Sequence, residues 1–529
     1  MCIAKFLAQN IIKEVFTVKK FFALLLVVLM LVPFVVACGD DADPTTTAPT
    51  TNATTTATPS GDNTSSSDNT SSNNTTLAPA PVGAWSSKYD VRTTWSGKTL
   101  NVACSTWSAS PGAPWCVMEL CIDYGKSSGF GELIDEAVLE RQEFIKDTYG
   151  VDLNWINATR WGMHDAFEAA TLAGNVNYDL AFPRMMRAQH IVAGGYVYDM
   201  GGREFIDFDN TYFNDLSIKN YTAKGHTFFM TGDFSNLDKE TAFVLYFNKN
   251  LLGDEKATTD LYNKVRQGKW TWNTLITLAN GSYSDDGDGV HGDTDTYGMS
   301  TTSLNRFYEY FGVLQAGVDE ATGNWKITLN DEKVDDIVAA IITANTANWC
   351  RSAWDGPWGS NAQQALKDGR LLFYNEVIQH SFVGEFGDIG ILPFPMLNEE
   401  QGRYYAPCAY QQTVLMCVPK LTQDRLMSDY FVDVLAWTGN EYTMKAYLQG
   451  KADQFDSDVE IEMITNYIFP NVVYDAGGAV GWGDLIGSVK GNAWNGNVNN
   501  FAQAYGNAEP GALQTIASWN ESWGGYTEA

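Results

Sequence analysis

The first part of the globular region alternates short apolar stretches with amphipathic ones. Residues 98–106, KTLNVACST, alternate apolar and polar positions and predict a strand. Residues 131–150 have helical spacing and end at a glycine, and 151–157, VDLNWIN, predict a second strand. A short helix at 165–174 and the strand YDLAF at 178–182 follow. This order predicts a parallel sheet with crossover helices, and therefore an α/β fold.

The rest of the chain also mixes the two periodicities. An apolar run at 242–252, AFVLYFNKNLL, predicts a buried strand, and RLLFYNEVI at 370–378 predicts another. Helical spacing returns at 335–347, at 361–369 and at 424–439. Ligands of open α/β sheets bind at the carboxyl ends of the strands, so residues that follow strands are candidates for contact.

The amino terminus has the pattern of an export signal. Two lysines precede an apolar run at 21–36, and Val-Val-Ala-Cys ends at Cys38. This sequence resembles the lipobox of bacterial lipoproteins, which implies a signal peptide at 1–37 and a lipidated Cys38. The alternative is a transmembrane anchor, but the run is shorter than the ~20 residues that a spanning helix needs, and Pro33 interrupts it.

Residues 38–86 consist almost entirely of Thr, Ser, Asn, Asp, Ala, Pro and Gly after the cysteine. Such a segment buries too little apolar surface to offset its ordering entropy, which predicts a disordered stalk. The body, 87–529, is long enough for a substantial core.

Composition narrows the class of ligand. The formal net charge of -29 argues against nucleic acid and against an electrostatic hold on anionic lipid. The chain has 17 Trp and 25 Tyr, which suggests surfaces that stack on the apolar faces of sugar rings, although most such rings lie in cores.

Six cysteines follow Cys38, and an exported protein can oxidise them. Cys116 with Cys121, and Cys408 with Cys417, are close enough in sequence to pair, but the spacing does not choose among the possible pairings.

Several segments together resemble the sugar-binding, maltose-binding-protein-like family of extracellular solute-binding proteins of ABC importers. They are GELIDEAVLERQEFIKDTYGVDLNW, TAFVLYFNKNLL, LYNKVRQGKWTWNTL, GDIGILPFPM and VPKLTQDRLMSDYFVDVLAW. Each motif is weak by itself, and their order along nearly the whole body makes the combination specific.

The resemblance implies a two-lobed fold of type II with a ligand cleft between the lobes. Lobe one would comprise about 97–245 and 403–450, and lobe two about 246–402 and 451–529. It also implies binding without catalysis, delivery of a carbohydrate to an ABC permease, and closure by hinge motion. With the lipid anchor, it indicates a protein on the outer face of the cell membrane of a Gram-positive-like bacterium. The sequence has no oligomer signal, so a monomer is the default expectation.

Cleft contacts are expected at strand ends, on crossing segments and in the Gly-rich tail. The candidates are Trp107, Arg184, Asp233, Glu240, Trp354, Trp358, Trp482 and Trp494. For each, a structural role in a core, a turn or an ion pair is the alternative. Thr241 stands at a position that is acidic in the maltose-binding protein, which puts specific maltose recognition in doubt.

The segment SDDGDGVHGDTDTYG predicts a possible structural calcium site. Calcium prefers several oxygen ligands, which alternating aspartates around a glycine turn provide. The candidate ligands are Ser284, Asp286, Asp288, Asp293 and Asp295. Both ends of the loop depart from the EF-hand pattern, and a solvated acidic turn is the alternative. No other cofactor is expected.

Two other functions compete with this interpretation. A secreted glycoside hydrolase would need a pair of carboxylates, which sequence cannot exclude in so acidic a chain. The chain carries neither a Gly-x-Ser-x-Gly elbow nor a His-Glu-x-x-His motif. A polysaccharide-binding surface lipoprotein without a transporter is the second alternative.

Overall fold

The protein is described as a computed structural model, which covers residues 85–106, 132–159, 163–301, 304–329, 332–352, 360–378, 388–455, 457–479 and 501–528. The strands are β1 Thr99–Thr106, β2 Asp152–Thr159, β3 Leu180–Phe182, β4 Val197–Tyr198, β5 Thr222–Ala223, β6 His226–Thr227, β7 Phe243–Asn248, β8 Tyr297–Thr301, β9 Ala316–Val318, β10 Trp325–Ile327, β11 Cys350–Ser352, β12 Leu371–Val377, β13 Ile389–Leu392, β14 Ala406–Pro407, β15 Val418–Pro419 and β16 Val472–Val473. The α-helices are α1 Glu132–Tyr149, α2 Met163–Ala173, α3 Ala188–Ala193, α4 Asp215–Tyr221, α5 Leu237–Glu240, α6 Lys249–Leu252, α7 Glu255–Arg266, α8 Trp272–Ser282, α9 Phe307–Tyr310, α10 Val334–Thr346, α11 Ser360–Lys367, α12 Arg425–Gly439, α13 Lys445–Phe455, α14 Asp458–Glu462, α15 Ala476–Ala479 and α16 Phe501–Gly524.

The first sheet is the parallel sheet that the sequence predicts. Its strand order is β2-β1-β3, and Val102 on the central strand pairs with Trp155 and with Leu180. Isolated bridges extend the sheet, since Ala181 pairs antiparallel with Cys417, and Met230 pairs with Met416. A segment that lies far along the chain therefore completes the first sheet.

The second sheet has the strand order β11-β8-β12-β7-β13. β8 runs parallel to β11 and β12, whereas β7 runs antiparallel to both of its neighbours. All six residues of β7 are buried. A strand covered on both faces has a continuous apolar run rather than an alternating one, which explains the pattern at 242–252.

Two segments cross between the sheets next to each other. The first runs from Met230, beside the first sheet, to Ala242, directly before β7. The second returns, since Cys408 pairs with Ala242 and Val414 then pairs with Arg184. The α/β class with two sheets joined by crossing segments is therefore confirmed. Among the described residues, no helix is both long and apolar enough to cross a membrane.

Helix α12 packs tightly against the first crossing segment. Its residues from Met427 to Gly439 are all buried. A Cβ on Gly439 would lie 1.8 Å from the backbone oxygen of Asp233, so only glycine allows this approach.

Four described cysteines are buried: Cys104, Cys350, Cys408 and Cys417. Cys408 and Cys417 do not pair with each other. Burial raises the pKa of the Cys350 and Cys408 thiols to about 12, which keeps both protonated and unreactive. Cys116 and Cys121 lie outside the described residues.

Candidate ligand-binding site

The second crossing segment contains a turn at 409–413, here called the floor turn. Its backbone closes on itself, because the N–H groups of Gln412 and Thr413 donate to the Ala409 oxygen at 2.8 and 2.9 Å. At one end Ala409 N donates to the Thr241 oxygen at 2.9 Å, beside β7. At the other end Met185 N donates to the Thr413 oxygen at 2.9 Å, just after β3. The floor turn thus spans the space between the two sheets.

Arg184 approaches the floor turn from the carboxyl end of β3. Its side chain is buried, and Nη1 donates to the Gln412 backbone oxygen. A guanidinium on a backbone carbonyl holds the turn against the first sheet. The sequence placed Arg184 at a strand end near the cleft, and this contact shows a positioning role for it beside any ligand contact.

Arg306 approaches the same turn from beyond the carboxyl end of β8. Its guanidinium carbon lies 4.5 Å from the centre of the Tyr410 ring and 5.6 Å from that of Phe243. Nη1 also donates to the Glu309 carboxylate at 3.1 and 3.3 Å. Burial alone would lower the pKa of Arg306, but the charge and hydrogen bond of Glu309, together with Tyr410 and Cys408, more than offset it, and the pKa is raised. The cation is therefore permanent.

The floor turn presents its side chains between the sheets. Tyr410 is half-buried and Gln411 is exposed. With Arg306 against Tyr410, the ring is fixed by a cation–π contact rather than free to rotate. Sequence reasoning missed Tyr410 and Arg306, and it predicted no strand at β8, whose end precedes Arg306.

Asp233 and Glu240, two further candidates, lie in a buried ion network on the first crossing segment. Lys239 Nζ is 2.8 Å from Asp233 Oδ1, and Asn440 Nδ2 donates to the other Asp233 oxygen at 2.7 Å. Lys451 Nζ lies 3.5 Å from Glu240. Both carboxylates are thus engaged inside the protein, which favours structural roles for them.

The ion network connects directly to the floor turn. The hydroxyl groups of Thr241 and Thr413 are 2.6 Å apart and both residues are buried. Asp238 accepts a hydrogen bond from the Tyr474 hydroxyl at 2.6 Å. The network therefore fixes the crossing segment that carries the floor turn. The candidates Trp107, Trp354, Trp358, Trp482 and Trp494, and Cys38, lie outside the described residues.

The acidic loop at 284–296 brings together two of the predicted calcium ligands, Asp286 and Asp288. Ligand atoms of Asp285, Asp286 and Asp288 all lie within 4.8 Å of one another, and the three residues are exposed. Asp285, which the sequence reasoning had not chosen, accepts from the N–H groups of Gly287 and Gly289 at 2.8 and 3.2 Å.

The other predicted ligands of the loop have different partners. Asp295 is fully buried and accepts from Asp286 N at 3.0 Å and from Gly292 N at 3.2 Å. Asp293 forms an ion pair with Arg351. Ser284 forms a bridge with Thr296. These three residues have partners of their own and are not members of the cluster of Asp285, Asp286 and Asp288.

Solved structures were compared with this fold. A cyclo/maltodextrin-binding protein, solved in complex with maltotetraose, is similar to this chain with a TM-score of 0.51 and 12% sequence identity, over 79% of this chain and 97% of that chain. The chain has the fold of a two-lobed solute-binding protein.

Two further solved structures are similar at lower scores. The bacterial solute receptor AcbH, described as exclusively preferring β-D-galactopyranose, has a TM-score of 0.48 at 13% identity, over 80% of this chain and 98% of that chain. The cyclic α-maltosyl-1,6-maltose binding protein from Arthrobacter globiformis has a TM-score of 0.47 at 11% identity, over 81% and 98%. Neither a family model nor a curated protein sequence matches the chain.

Proposed function

We propose that this protein is the carbohydrate-binding component of an ABC importer and that it captures a mono- or oligosaccharide without altering it. The observation that carries the proposal is the position of Tyr410, a half-buried ring between the two sheets of a fold whose solved relative holds maltotetraose. The sequence resemblance to sugar-binding proteins supports the same function independently of the coordinates.

The chemistry of the floor turn suits a sugar. Stacking the apolar face of a pyranose on an aromatic ring removes water from both, and nearby polar side chains then satisfy the hydroxyl groups. Tyr410 would supply the ring, and Gln411 offers both a donor and an acceptor. The buried pair of Arg306 and Glu309 would keep the ring in place while the ligand enters.

Delivery to a permease would use motion about the crossing segments. A ligand that contacts both lobes stabilises the closed arrangement by its differential affinity, and a membrane transporter can then distinguish loaded from empty protein. We propose a monomer as the functional unit.

We also propose that Cys38 carries the lipid anchor and that the segment between Cys38 and the body forms the stalk on the outer face of the membrane. Replacing Cys38 with alanine should release the protein into the medium, measured by immunoblotting of cells and culture supernatant. Retention of the Cys38→Ala variant on cells at the normal level would contradict the anchor.

Replacing Tyr410 with alanine should weaken sugar binding about tenfold, which corresponds to about 1.4 kcal/mol, because the stacking face is lost. The Tyr410→Phe variant keeps the ring and should bind nearly as the natural protein does. The measurement is a thermal-shift screen against a panel of sugars, followed by titration calorimetry, since a bound ligand raises stability by mass action.

A matched control for this experiment is Tyr89→Ala, which removes an exposed ring from the amino-terminal part of the body. Its sugar affinity should equal that of the natural protein. Stabilisation by amino acids, peptides or polyamines with none by any sugar would overturn the carbohydrate class. Release of reducing sugar from oligosaccharides would favour the glycoside hydrolase instead.

For the acidic loop we propose a structural calcium ion held by Asp285, Asp286 and Asp288. Their oxygens form a hard-ligand set of the kind that calcium prefers. Calcium should raise the melting temperature of chelator-treated protein, measured by differential scanning fluorimetry, and Asp286→Asn should abolish that rise. An exposed aspartate elsewhere, replaced in Asp335→Asn, is the control. An equal calcium response in both variants would contradict this site.

A further inference from the structure

A cluster of metal-binding side chains lies on helix α2, outside the site described above. His164, Asp165 and Glu168 belong to the first turns of this helix, and their ligand atoms all lie within 4.8 Å of one another. His164 and Glu168 are four residues apart, so they share one face of the helix. An imidazole and a carboxylate in this arrangement can bind one ion together.

A second histidine faces the cluster from another helix. His190, on α3, has its ring centre 6.1 Å from that of His164, with the rings at 72°. The two helices contact each other, and Phe167 and Ile191 are both buried in the main apolar core. The packing of the two helices therefore places the two imidazoles near each other.

The distance between the two ring centres is close to the distance expected for two imidazoles that bind the same metal ion. With a Zn–N bond of about 2.0 Å, two imidazoles on one tetrahedral ion place their ring centres roughly 5 Å apart. The observed 6.1 Å requires a closure of about 1 Å. Rotation of the half-buried His164 and the exposed His190 side chains can supply this change.

The charges around the rings favour a bound cation. Asp165 and Glu168 provide two negative charges against one on Arg187. The Tyr196 ring packs at 5.6 Å from that of His164 and limits its orientations.

We propose that His164, Glu168 and His190, with Asp165 as a further oxygen ligand, bind a divalent transition metal, with zinc as the best match. Two imidazole nitrogens and carboxylate oxygens form a borderline ligand set that zinc accepts in tetrahedral geometry, whereas calcium and magnesium prefer oxygen alone. The bound ion would connect α2 to α3. This site is independent of the sugar-binding proposal.

The test uses the full chain without a histidine tag, dialysed against chelator. Titration calorimetry with zinc chloride should show a site that His164→Gln and His190→Gln each weaken by more than roughly tenfold, since even loss of an outer partner typically costs that much. Cobalt(II) should give the strong visible absorption of a low-coordinate site in the natural protein and lose it in both variants.

Two controls separate this site from other sources of binding. Asp147→Asn removes an exposed carboxylate from the neighbouring helix α1, and Asp286→Asn disables the acidic loop. Both should keep the zinc affinity of the natural protein. Unchanged zinc affinity in the two histidine variants, or no binding by the natural protein, would overturn the proposal. Sugar binding by the histidine variants should stay normal, which shows that they fold.

Discussion

Replacing Lys239 with alanine should lower the free energy of unfolding by about 3–5 kcal/mol. Lys239 is buried on the first crossing segment, with its ammonium 2.8 Å from Asp233 and 3.4 Å from Asp238. Removing the cation would leave two buried carboxylates without their main counter-charge. Breaking a buried ion pair costs far more than the pair itself contributes, because the remaining charge stays desolvated.

The protonation state of Lys239 supports a persistent ion network. Burial alone would lower its pKa, but Asp233 and Asp238 more than offset this and raise the pKa above its ordinary value. Lys239 therefore stays charged wherever the protein is folded. The effect of the substitution should change little between neutral and mildly alkaline pH.

Urea unfolding followed by tryptophan fluorescence measures this effect. Lys256→Ala is the control, because Lys256 forms a solvent-exposed ion pair with Asp260 and its loss should hardly affect stability. Adding Asp233→Asn to Lys239→Ala should recover part of the lost stability, since one orphaned charge is then removed. Equal stabilities of Lys239→Ala and Lys256→Ala would contradict the role of the network.

The spacing of apolar and polar residues predicted those strands and helices whose own sequence shows which of their faces are buried. The alternating residues 98–106 became β1, the continuous run at 242–252 contains the fully buried β7, and the helical spacing at 335–347 corresponds to α10. In each case the order of apolar and polar residues within the element matches its burial pattern. The parallel sheet and the α/β class could therefore be predicted before any contact was known.

The candidate site depended on contacts that periodicity does not encode. Tyr410 and Arg306 are about a hundred residues apart in sequence, and they meet only because a crossing segment brings the floor turn to the end of β8. Asp233 and Glu240 have the same residue type as sugar ligands, and only the positions of Lys239 and Lys451 distinguish them as network members. Side-chain chemistry alone could not separate the two roles.

The boundary between stalk and body also depends on contacts that the local sequence pattern does not predict. Trp85 and Ser86, at the end of the predicted stalk, are packed on the body, and the Trp85 ring lies 5.3 Å from that of Phe205. The Ser86 and Ser87 hydroxyls donate to Asp433 Oδ2 at 3.1 and 2.6 Å. Composition assigns Trp85 and Ser86 to the stalk, and only the buried Asp433 carboxylate that accepts from Ser86 shows that this end of the segment is attached to the body.

Asp433 should make the stability of the protein depend on pH. Ser87 N at 2.7 Å and the Tyr212 hydroxyl also donate to its carboxylate, yet the residue is completely buried. Burial is the larger effect and raises the pKa of Asp433 from 3.8 to about 6 in spite of these donors. The difference corresponds to about 3 kcal/mol.

The direction of the dependence follows from proton binding. Between about pH 4 and pH 6 the folded protein retains a proton on Asp433 that the unfolded chain has lost. The contribution of Asp433 to the free energy of unfolding therefore falls as pH rises through this window. In Asp433→Asn this titration is absent. The unfolding free energy of the natural protein minus that of the variant should therefore fall by about 3 kcal/mol from about pH 3 to about pH 7.

Urea unfolding of both proteins across this range measures the difference. The control is Asp147→Asn, which removes an exposed carboxylate from α1, and its unfolding free energy should differ from that of the natural protein by a nearly constant amount. A constant difference between the natural protein and Asp433→Asn would show that the pKa of Asp433 is the same in the folded and unfolded states, and a difference that rises with pH would show that its donors outweigh its burial. Because Asp433 receives Ser86 and Ser87, the same titration reports how firmly the amino-terminal segment is held.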